Sequence, residues 1–226
     1  SLELQGTPGS RLLVVVDGYA GDSGPFTLAI DCEESEPSVC DSYESTEQES
    51  APIQAAAPLP PAASERSWAL PSAFTSWVPF EGSHGQPAQH EGIDAIHDDP
   101  AVESVPVRAA ADGTVVYVRT GCPQSAVFER NLDLRECGSG WGNHAVVDHG
   151  DGLFTRYAHL EPGEVRVRVG DELNQGDILA SMGNSGRSET RHLHMELGSS
   201  ETSFESCAPA RSFDAVHAPA PLGIHP

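Results

Sequence analysis

Residues 144–160 read HAVVDHGDGLFTRYAHL, a pattern that predicts a β-hairpin. Apolar and β-branched runs flank the pair Asp151-Gly152, and an Asp-Gly pair in this position is typical of a tight hairpin turn. A similar arrangement occurs upstream, where Asp112-Gly113 separates the two apolar runs of Val105–Val118. Two hairpin patterns in one region favour a domain built from strands.

Other short segments of this region continue the β pattern. Glu164–Val169 reads EVRVRV, and its strict alternation is typical of a half-buried strand. Asp177–Met182 and His192–Leu197 are further short runs that predict strands. No amphipathic pattern lasts longer than two helical turns. Residues 67–200 are therefore predicted to form an all-β domain with short strands and Gly-rich turns.

The segments on either side of this region differ from it in composition. Leu12–Val16 and Phe26–Ile30 flank a turn-forming stretch, so residues 1–32 are interpreted as the terminal hairpin of a truncated β-sandwich-like domain. Residues 33–66 are first acidic and then rich in Ala and Pro, a composition that predicts a disordered linker. Residues 201–226 show no pattern and are interpreted as a C-terminal tail.

The charge of the chain limits its partners. Among 226 residues, 12 basic and 34 acidic side chains give a formal net charge of −22, and every basic residue is Arg. Nucleic acid and anionic lipid are disfavoured as partners because both are bound through clustered cations. No apolar run approaches the roughly 18 residues of a membrane-spanning helix, so no membrane insertion is predicted. The chain also lacks the basic and apolar opening of a signal peptide.

The first candidate metal-binding motif is His90-Glu91-Gly92-Ile93-Asp94. Imidazole and carboxylate groups both bind Zn²⁺. In a straight strand, however, the Cα atoms of His90 and Asp94 would lie roughly 13 Å apart, too far to share one ion. A bend at Gly92 would bring them together, because glycine tolerates backbone conformations that other residues rarely adopt. The alternative interpretation is an exposed polar loop without a metal.

Two further histidine motifs lie in predicted strands. His192 and His194 are two positions apart, so both point to one face of a strand while Leu193 points into the core. His159 ends the second strand of the predicted hairpin and shares a face with Tyr157. The alternatives are a solvated pair of histidines and an ordinary half-buried histidine at a strand end.

Taken together and in order, these motifs resemble the LytM/lysostaphin family of zinc endopeptidases. The resemblance covers residues 88–198, and it implies a compact antiparallel β-sheet domain with an active site in a groove formed by loops. It is carried by the H-x-G-x-D motif at 90–94, followed by GWGN, HAVVDHGDGLFTRYAHL, VGDELNQGDILASMGNSGRS and HLHMEL.

The family pattern implies a role for each matching residue. His90, Asp94 and His194 would bind one Zn²⁺ ion, whereas His159 and His192 would flank the attacking water and the substrate carbonyl. Three protein ligands leave a fourth position open for water, which is typical of catalytic zinc. The implied function is hydrolysis of the peptide cross-links of bacterial peptidoglycan by metal-activated water.

The resemblance also assigns a substrate contact to Asn143, which follows the GWG motif. The stretch before the first histidine, SWVPFEGSHGQPAQ, departs from the family pattern and leaves the choice of substrate open. The remaining histidines receive ordinary roles. His144 and His149 are expected to face solvent or the groove, and His97-Asp98-Asp99 is interpreted as a solvated acidic loop rather than a second cation site.

A second departure from the family is an insertion between Val118 and Trp141. Cys122 and Cys137 bracket it, and we predict a disulfide between them because this long loop otherwise lacks a constraint. Cys32 and Cys40 form a second candidate pair, which leaves one of the five cysteines, Cys207, unassigned. Disulfides persist in oxidising compartments. The expected location is therefore periplasmic or extracellular, and the expected oligomeric state is a monomer.

Two other functions remain open at this point. A non-catalytic member of the same fold would bind peptidoglycan or regulate an amidase. Such members usually lack metal ligands or catalytic histidines, whereas all five positions are filled here. A structural β module with adventitious zinc would fit the hairpin and linker of a surface protein. Zinc stoichiometry and peptidoglycan hydrolysis distinguish the three.

Overall fold

A computed structural model describes residues 58–82, 88–125, 136–206 and 208–224. The predicted N-terminal hairpin, residues 33–57 of the predicted linker and the candidate pair Cys32–Cys40 lie outside these ranges. One short α-helix, α1, spans Pro61–Ser64. The strands of the described residues are β1 Ser76–Val78, β2 Ile93–Ile96, β3 Pro106–Arg108, β4 Gly113–Arg119, β5 Asn143–Asp148, β6 Leu153–Leu160, β7 Glu172–Leu173, β8 Ile178–Ser181, β9 His192–Ser199 and β10 Ala215–His217.

These strands form two sheets, and every pairing is antiparallel. The larger sheet has eight strands in the order β1-β2-β9-β6-β5-β4-β7, with β10 also paired to β9. The smaller sheet consists of β3 and β8. The prediction of an all-β, antiparallel fold is confirmed.

The two predicted hairpins have different outcomes. Asp151 and Gly152 both adopt positive φ angles, 56° and 71°, and connect β5 to its neighbour β6 as predicted. The prediction for Asp112-Gly113 is wrong, because β3 pairs with β8 in the smaller sheet while β4 pairs with β5 and β7. The Asp-Gly pair therefore marks a crossing between two sheets.

The predicted strand at Glu164–Val169 has the expected burial but no strand ladder. Val165 is half-buried and Val167 buried, while the residues between and after them are exposed. The backbone N–H of Arg166 donates to the carbonyl of Leu179, a single link to β8. The alternating sequence therefore describes an extended segment that covers the core without joining a sheet.

Strand β9 separates the hydrophobic core from the opposite face of the large sheet. Leu193 and Met195 are fully buried and pack with side chains of the smaller sheet, among them Val107 and Leu179. The alternate side chains of β9 lie on the other face, because successive residues of a strand point in opposite directions. That other face carries His192, His194 and Glu196.

Both ends of the predicted β domain differ from the predicted boundaries. The described part of the predicted linker includes α1, whose Ala63 is fully buried against Leu153 and Leu197. At the other end, β10 belongs to the predicted tail and pairs with β9, and Phe213 packs beside Phe154. Apolar side chains spaced widely along an irregular segment leave no periodic pattern, which is why these contacts were not predicted. Among the described residues, no helix is long and apolar enough to cross a membrane.

Candidate metal centre

The register of two neighbouring strands brings the predicted metal ligands together. Asp94 on β2 lies directly opposite His194 on β9, and Ile96 lies opposite His192. His90 precedes β2 and forms an isolated bridge with Glu81. Paired residues on adjacent strands have side chains about 5 Å apart on one face of the sheet. The strand pairing therefore places an imidazole and a carboxylate side by side.

The two imidazole ligands both approach one oxygen of the third ligand, Asp94. Asp94 Oδ1 lies 2.7 Å from His194 Nδ1 and 3.1 Å from His90 Nε2. One ligand atom from each of the three residues falls within 4.8 Å of the others, a spacing that fits a shared ion. The chain bends at Gly92 as predicted. A Cβ at this position would lie closer than 3.0 Å to the His194 ring and to the Met195 carbonyl oxygen.

The outer nitrogen of each imidazole ligand has an acceptor, which leaves the inner nitrogen for a metal. His90 Nδ1 donates to the carbonyl oxygen of Pro79 over 2.8 Å. His194 Nε2 donates to Glu196 Oε1 over 3.3 Å. Neutral imidazole has one N–H and one lone pair, so His90 Nε2 and His194 Nδ1 are the atoms free to coordinate. This donor set of two nitrogens and one carboxylate oxygen suits Zn²⁺.

The charges of the metal-free site also favour a cation. Burial lowers the pKa of His194, but hydrogen bonds with Asp94 and Glu196 outweigh it and raise the pKa to about 10. Burial alone would raise the pKa of Asp94, yet its hydrogen bonds with His194 and His90 hold it well below its usual range. The metal-free site thus holds a proton against an ionised carboxylate at neutral pH. A divalent ion would take the place of that proton.

His159 and His192 lie beside this cluster, and their rings are in contact at an interplanar angle of 47°. Their ring centroids are 4.6 Å apart, and His192 Nε2 is 3.7 Å from Asp94 Oδ1. His159 Nδ1 donates to the carbonyl oxygen of Ser185 over 2.7 Å, and His192 Nδ1 to that of Thr190 over 2.9 Å. Burial lowers the pKa of both imidazoles, and the positive charge of His194 lowers that of His159 further. Both side chains are therefore neutral bases with their lone pair on Nε2.

The position of the His159 ring depends on an unusual backbone conformation and a tight turn. His159 has a φ of 59°, a left-handed conformation that only a few per cent of non-glycine residues adopt. Its acceptor, Ser185, precedes Gly186, which has a φ of 78°. A Cβ on Gly186 would lie closer than 3.0 Å to backbone atoms of Gly140 and Gly142. No side chain fits there without moving the backbone.

Replacing Gly186 with alanine is therefore expected to lower the free energy of unfolding by about 3 kcal/mol or more, since steric overlap adds to the left-handed strain. Urea denaturation measures the loss. Gly163 is the matched control, because it has a φ of 79° and a Cβ added there would meet no other atom within 4 Å. Gly163→Ala should cost only about 1 kcal/mol. Equal losses in the two variants would contradict the packing argument.

The Asn143 side chain, predicted to contact substrate, instead forms hydrogen bonds within the protein. Its side chain is buried, and its amide oxygen accepts from the Cys122 N–H over 2.8 Å. Its amide nitrogen donates to the carbonyl oxygens of Cys122 and Leu160. The predicted disulfide between Cys122 and Cys137 is present in the structure. Asn143 thus joins the disulfide-bonded loop to the end of β6, and both of its polar atoms are occupied.

The expectation that His144 and His149 face solvent or the groove is wrong. Both are buried: the His144 ring on β5 stacks against Tyr117, and the His149 ring packs edge-on against Trp68. His149 is hydrogen-bonded to the Asp112 carbonyl and to Thr155. His144 Nδ1 donates to the Gly142 carbonyl, but its Nε2 is buried with no hydrogen-bond partner among the described residues. Neither side chain belongs to the metal cluster.

His144 should make the stability of the protein depend on pH. Burial, with the nearby charge of Arg156, lowers its pKa to about 3, whereas an unfolded histidine titrates near about 6.5. Below pH ~6.5 the imidazole is therefore protonated in the unfolded chain but stays neutral in the folded chain. The free energy of unfolding should then fall as pH decreases, by up to about 1.4 kcal/mol per pH unit.

The expected result is that His144→Phe weakens this slope between about pH 6.5 and about pH 4, measured by urea denaturation of the metal-free proteins. Phenylalanine keeps the ring against Tyr117 and removes the titration. A constant stability difference between variant and wild type at every pH would contradict the assignment.

Sequence reasoning missed a group of residues behind His194, of which Glu196 and Arg156 are buried and Trp141 is half-buried. Glu196, Arg156 and Trp141 form an ion pair and a hydrogen bond on the same face of the sheet as the predicted ligands. The alternation His192, His194, Glu196 within β9 could have revealed the first of them, because all three must share a face. The register that places Arg156 opposite Glu196 is not encoded in either strand alone.

A second group of candidate ligand atoms consists of Glu91, His194 and Glu196. A cation is less favoured there, because Arg156 Nη1 already lies 2.8 Å from Glu196 Oε2 and supplies the balancing charge. His97, Asp98 and Asp99 belong to no candidate metal group within the described part of the chain. The cluster of His90, Asp94 and His194 is therefore the better-supported site.

Comparisons with known proteins identify related sequences. The family model described as Peptidase family M23 matches residues 88–205. Peptidoglycan DD-endopeptidase ShyA of Vibrio cholerae is 39% identical over 56 residues, covering 25% of this chain and 13% of that protein. Cell division protein DipM of Caulobacter vibrioides is 28% identical over 109 residues, covering 48% of this chain and 15% of that protein.

Among solved structures, the antimicrobial peptidase lysostaphin from Staphylococcus simulans is 21% identical. That match covers 70% of this chain and 52% of lysostaphin, with a TM-score of 0.43. The two curated relatives are much longer than the matching segment, which spans only 13% and 15% of their lengths.

Proposed function

Because the chain belongs to peptidase family M23, we propose that it is a zinc-dependent endopeptidase that hydrolyses the peptide cross-links of bacterial peptidoglycan. The observation that carries this proposal is the meeting of five side chains at one point of the sheet. His90 and His194 present ring nitrogens to Asp94 Oδ1, and His159 and His192 present free lone pairs beside them.

The proposed reaction uses these residues in two roles. His90 Nε2, Asp94 and His194 Nδ1 would hold the ion, which when bound supplies Lewis-acid activation of water and lowers its pKa to about 7. His159 and His192, held neutral by burial, would accept the proton of the attacking water at Nε2 and return it to the leaving amine. Ser185 and Thr190 keep the other nitrogen of each ring protonated.

Peptidoglycan is proposed as the substrate because the related protein ShyA is a peptidoglycan DD-endopeptidase. The disulfide between Cys122 and Cys137 is consistent with a periplasmic or extracellular location. A monomer is sufficient, since one chain contributes all five side chains. The filled positions also argue against the non-catalytic alternative.

The experiment is to load the full chain with one equivalent of Zn²⁺ and incubate it with purified peptidoglycan. Mass spectrometry of the soluble products should reveal new free amino and carboxyl ends at peptide cross-links, and a chelator should prevent their release. Stoichiometric zinc binding without any cleavage would overturn the enzymatic proposal and favour a binding or regulatory role.

A further inference from the structure

A buried ion pair, Arg156 and Glu196, lies on the side of the His194 ring that faces away from the proposed metal. Glu196 is 1% exposed and Arg156 is fully buried. They occupy opposite positions of β9 and β6, two residues along from the pair His194 and Ala158. Removing two charges from water is costly unless they are paired and hydrogen-bonded. A contribution to stability alone therefore does not explain why this ion pair lies next to a proposed metal ligand.

Every oxygen of the Glu196 carboxylate receives a donor. Oε2 accepts from Arg156 Nη1 over 2.8 Å, and Oε1 accepts from the indole N–H of Trp141. Oε1 is also 3.3 Å from His194 Nε2. The Arg156 guanidinium stacks 3.7 Å from the centre of the Trp141 ring, and it donates to the carbonyl oxygen of Arg211. The carboxylate is thus fixed in place by groups on three different segments.

An ionised carboxylate can only accept hydrogen bonds. Facing Glu196, the Nε2 atom of His194 must carry a hydrogen, and the remaining lone pair of a neutral ring is on Nδ1. That atom is the one 2.7 Å from Asp94 Oδ1. The opposite tautomer would leave Nε2 without a hydrogen against a carboxylate and would direct an N–H into the metal cluster.

We propose that Glu196, held by Arg156 and Trp141, is a positioning residue that fixes the tautomer and ring orientation of His194 for metal binding through Nδ1. This inference rests on the proposed zinc site. Acceptors behind histidine ligands typically change metal affinity by about 10- to 100-fold. The second ion that Glu91, His194 and Glu196 could hold is disfavoured by the Arg156 charge.

The test compares two double variants that both lack the buried ion pair. Arg156→Met with Glu196→Leu removes the acceptor, whereas Arg156→Met with Glu196→Gln restores a neutral acceptor oxygen. Buried ion pairs can often be replaced by apolar residues without loss of stability, and circular dichroism of both variants checks the fold. Competition with a chromophoric chelator measures the dissociation constant of Zn²⁺.

The Leu variant is expected to bind Zn²⁺ about 10- to 100-fold more weakly than wild type, and the Gln variant should recover most of this loss. Zinc binding within twofold of wild type in a folded Leu variant would overturn the inference. Absence of zinc binding by the wild type would instead refute the proposed function, and this inference with it.

A second measurement needs no substitution at the pair. In zinc-loaded wild type, nitrogen-15 NMR of the His194 ring should assign a hydrogen to Nε2 and the metal bond to Nδ1. The reverse assignment would overturn the inference even if the double variants failed to fold.

Discussion

Replacing Asp94 with alanine is expected to abolish zinc binding and peptidoglycan cleavage together. Asp94 Oδ1 is the atom that both imidazole donors face, at 2.7 Å from His194 and 3.1 Å from His90. Without the carboxylate, a divalent ion would meet two neutral nitrogens and no compensating negative charge. The affinity for Zn²⁺ should fall by more than about 100-fold, because loss of a residue that only hydrogen-bonds to a metal ligand already costs about 10- to 100-fold. Metal analysis after dialysis and product release measure the two losses.

Asp98→Ala provides the matched control for this variant. Asp98 follows β2, and its carboxylate accepts a hydrogen bond from Thr75 outside the cluster. The same change in charge four residues away should leave zinc content and cleavage near the wild-type level. If Asp94→Ala kept a full equivalent of zinc after dialysis, the assignment of the metal site would be wrong.

Replacing His192 with alanine should separate metal binding from catalysis. The His192 side chain lies beside Asp94 at 3.7 Å rather than among the three closest donor atoms. Its loss removes a neutral base next to the attacking water, and general acid–base catalysis typically contributes about 100- to 10,000-fold to a rate. The variant is expected to bind one equivalent of Zn²⁺ and to lose kcat by roughly this factor.

The corresponding control is His97→Ala, which removes an imidazole from the loop after β2. Its Nδ1 has no hydrogen-bond partner among the described residues, so cleavage should continue at the wild-type rate. Loss of zinc from the His192 variant would indicate a ligand role for His192 instead. Retention of full activity would exclude it from the reaction.

Local sequence patterns were sufficient for the components of this site but not for their arrangement. Alternation placed His192 and His194 on one face and Leu193 in the core, as the structure has them. The approach of Asp94 to His194 depends on the pairing of β2 with β9, and these strands are about a hundred residues apart in the chain. A period of two fixes the face that a residue occupies but not the neighbouring strand.

The match to Peptidase family M23 confirms the resemblance to the LytM/lysostaphin family, and that resemblance supplied the long-range information that the strands lack. It did not identify Glu196 and Arg156, because their importance lies in a cross-strand contact. It also misplaced Asn143, whose amide bonds to Cys122 depend on an inserted loop. Family motifs therefore propose the donor groups, whereas the residues that support them depend on contacts between strands that no motif contains.

The pairing of β10 with the end of β9 has a practical consequence for recombinant fragments. Ala215–His217 covers the edge of β9 beyond the residues that β2 occupies. A fragment ending near residue 200, where a sequence-based boundary would be drawn, would expose backbone N–H and C=O groups along that edge. Unprotected edges pair readily with other molecules. Such a fragment is expected to self-associate at high concentration, whereas one ending after Ile224 would keep the edge closed.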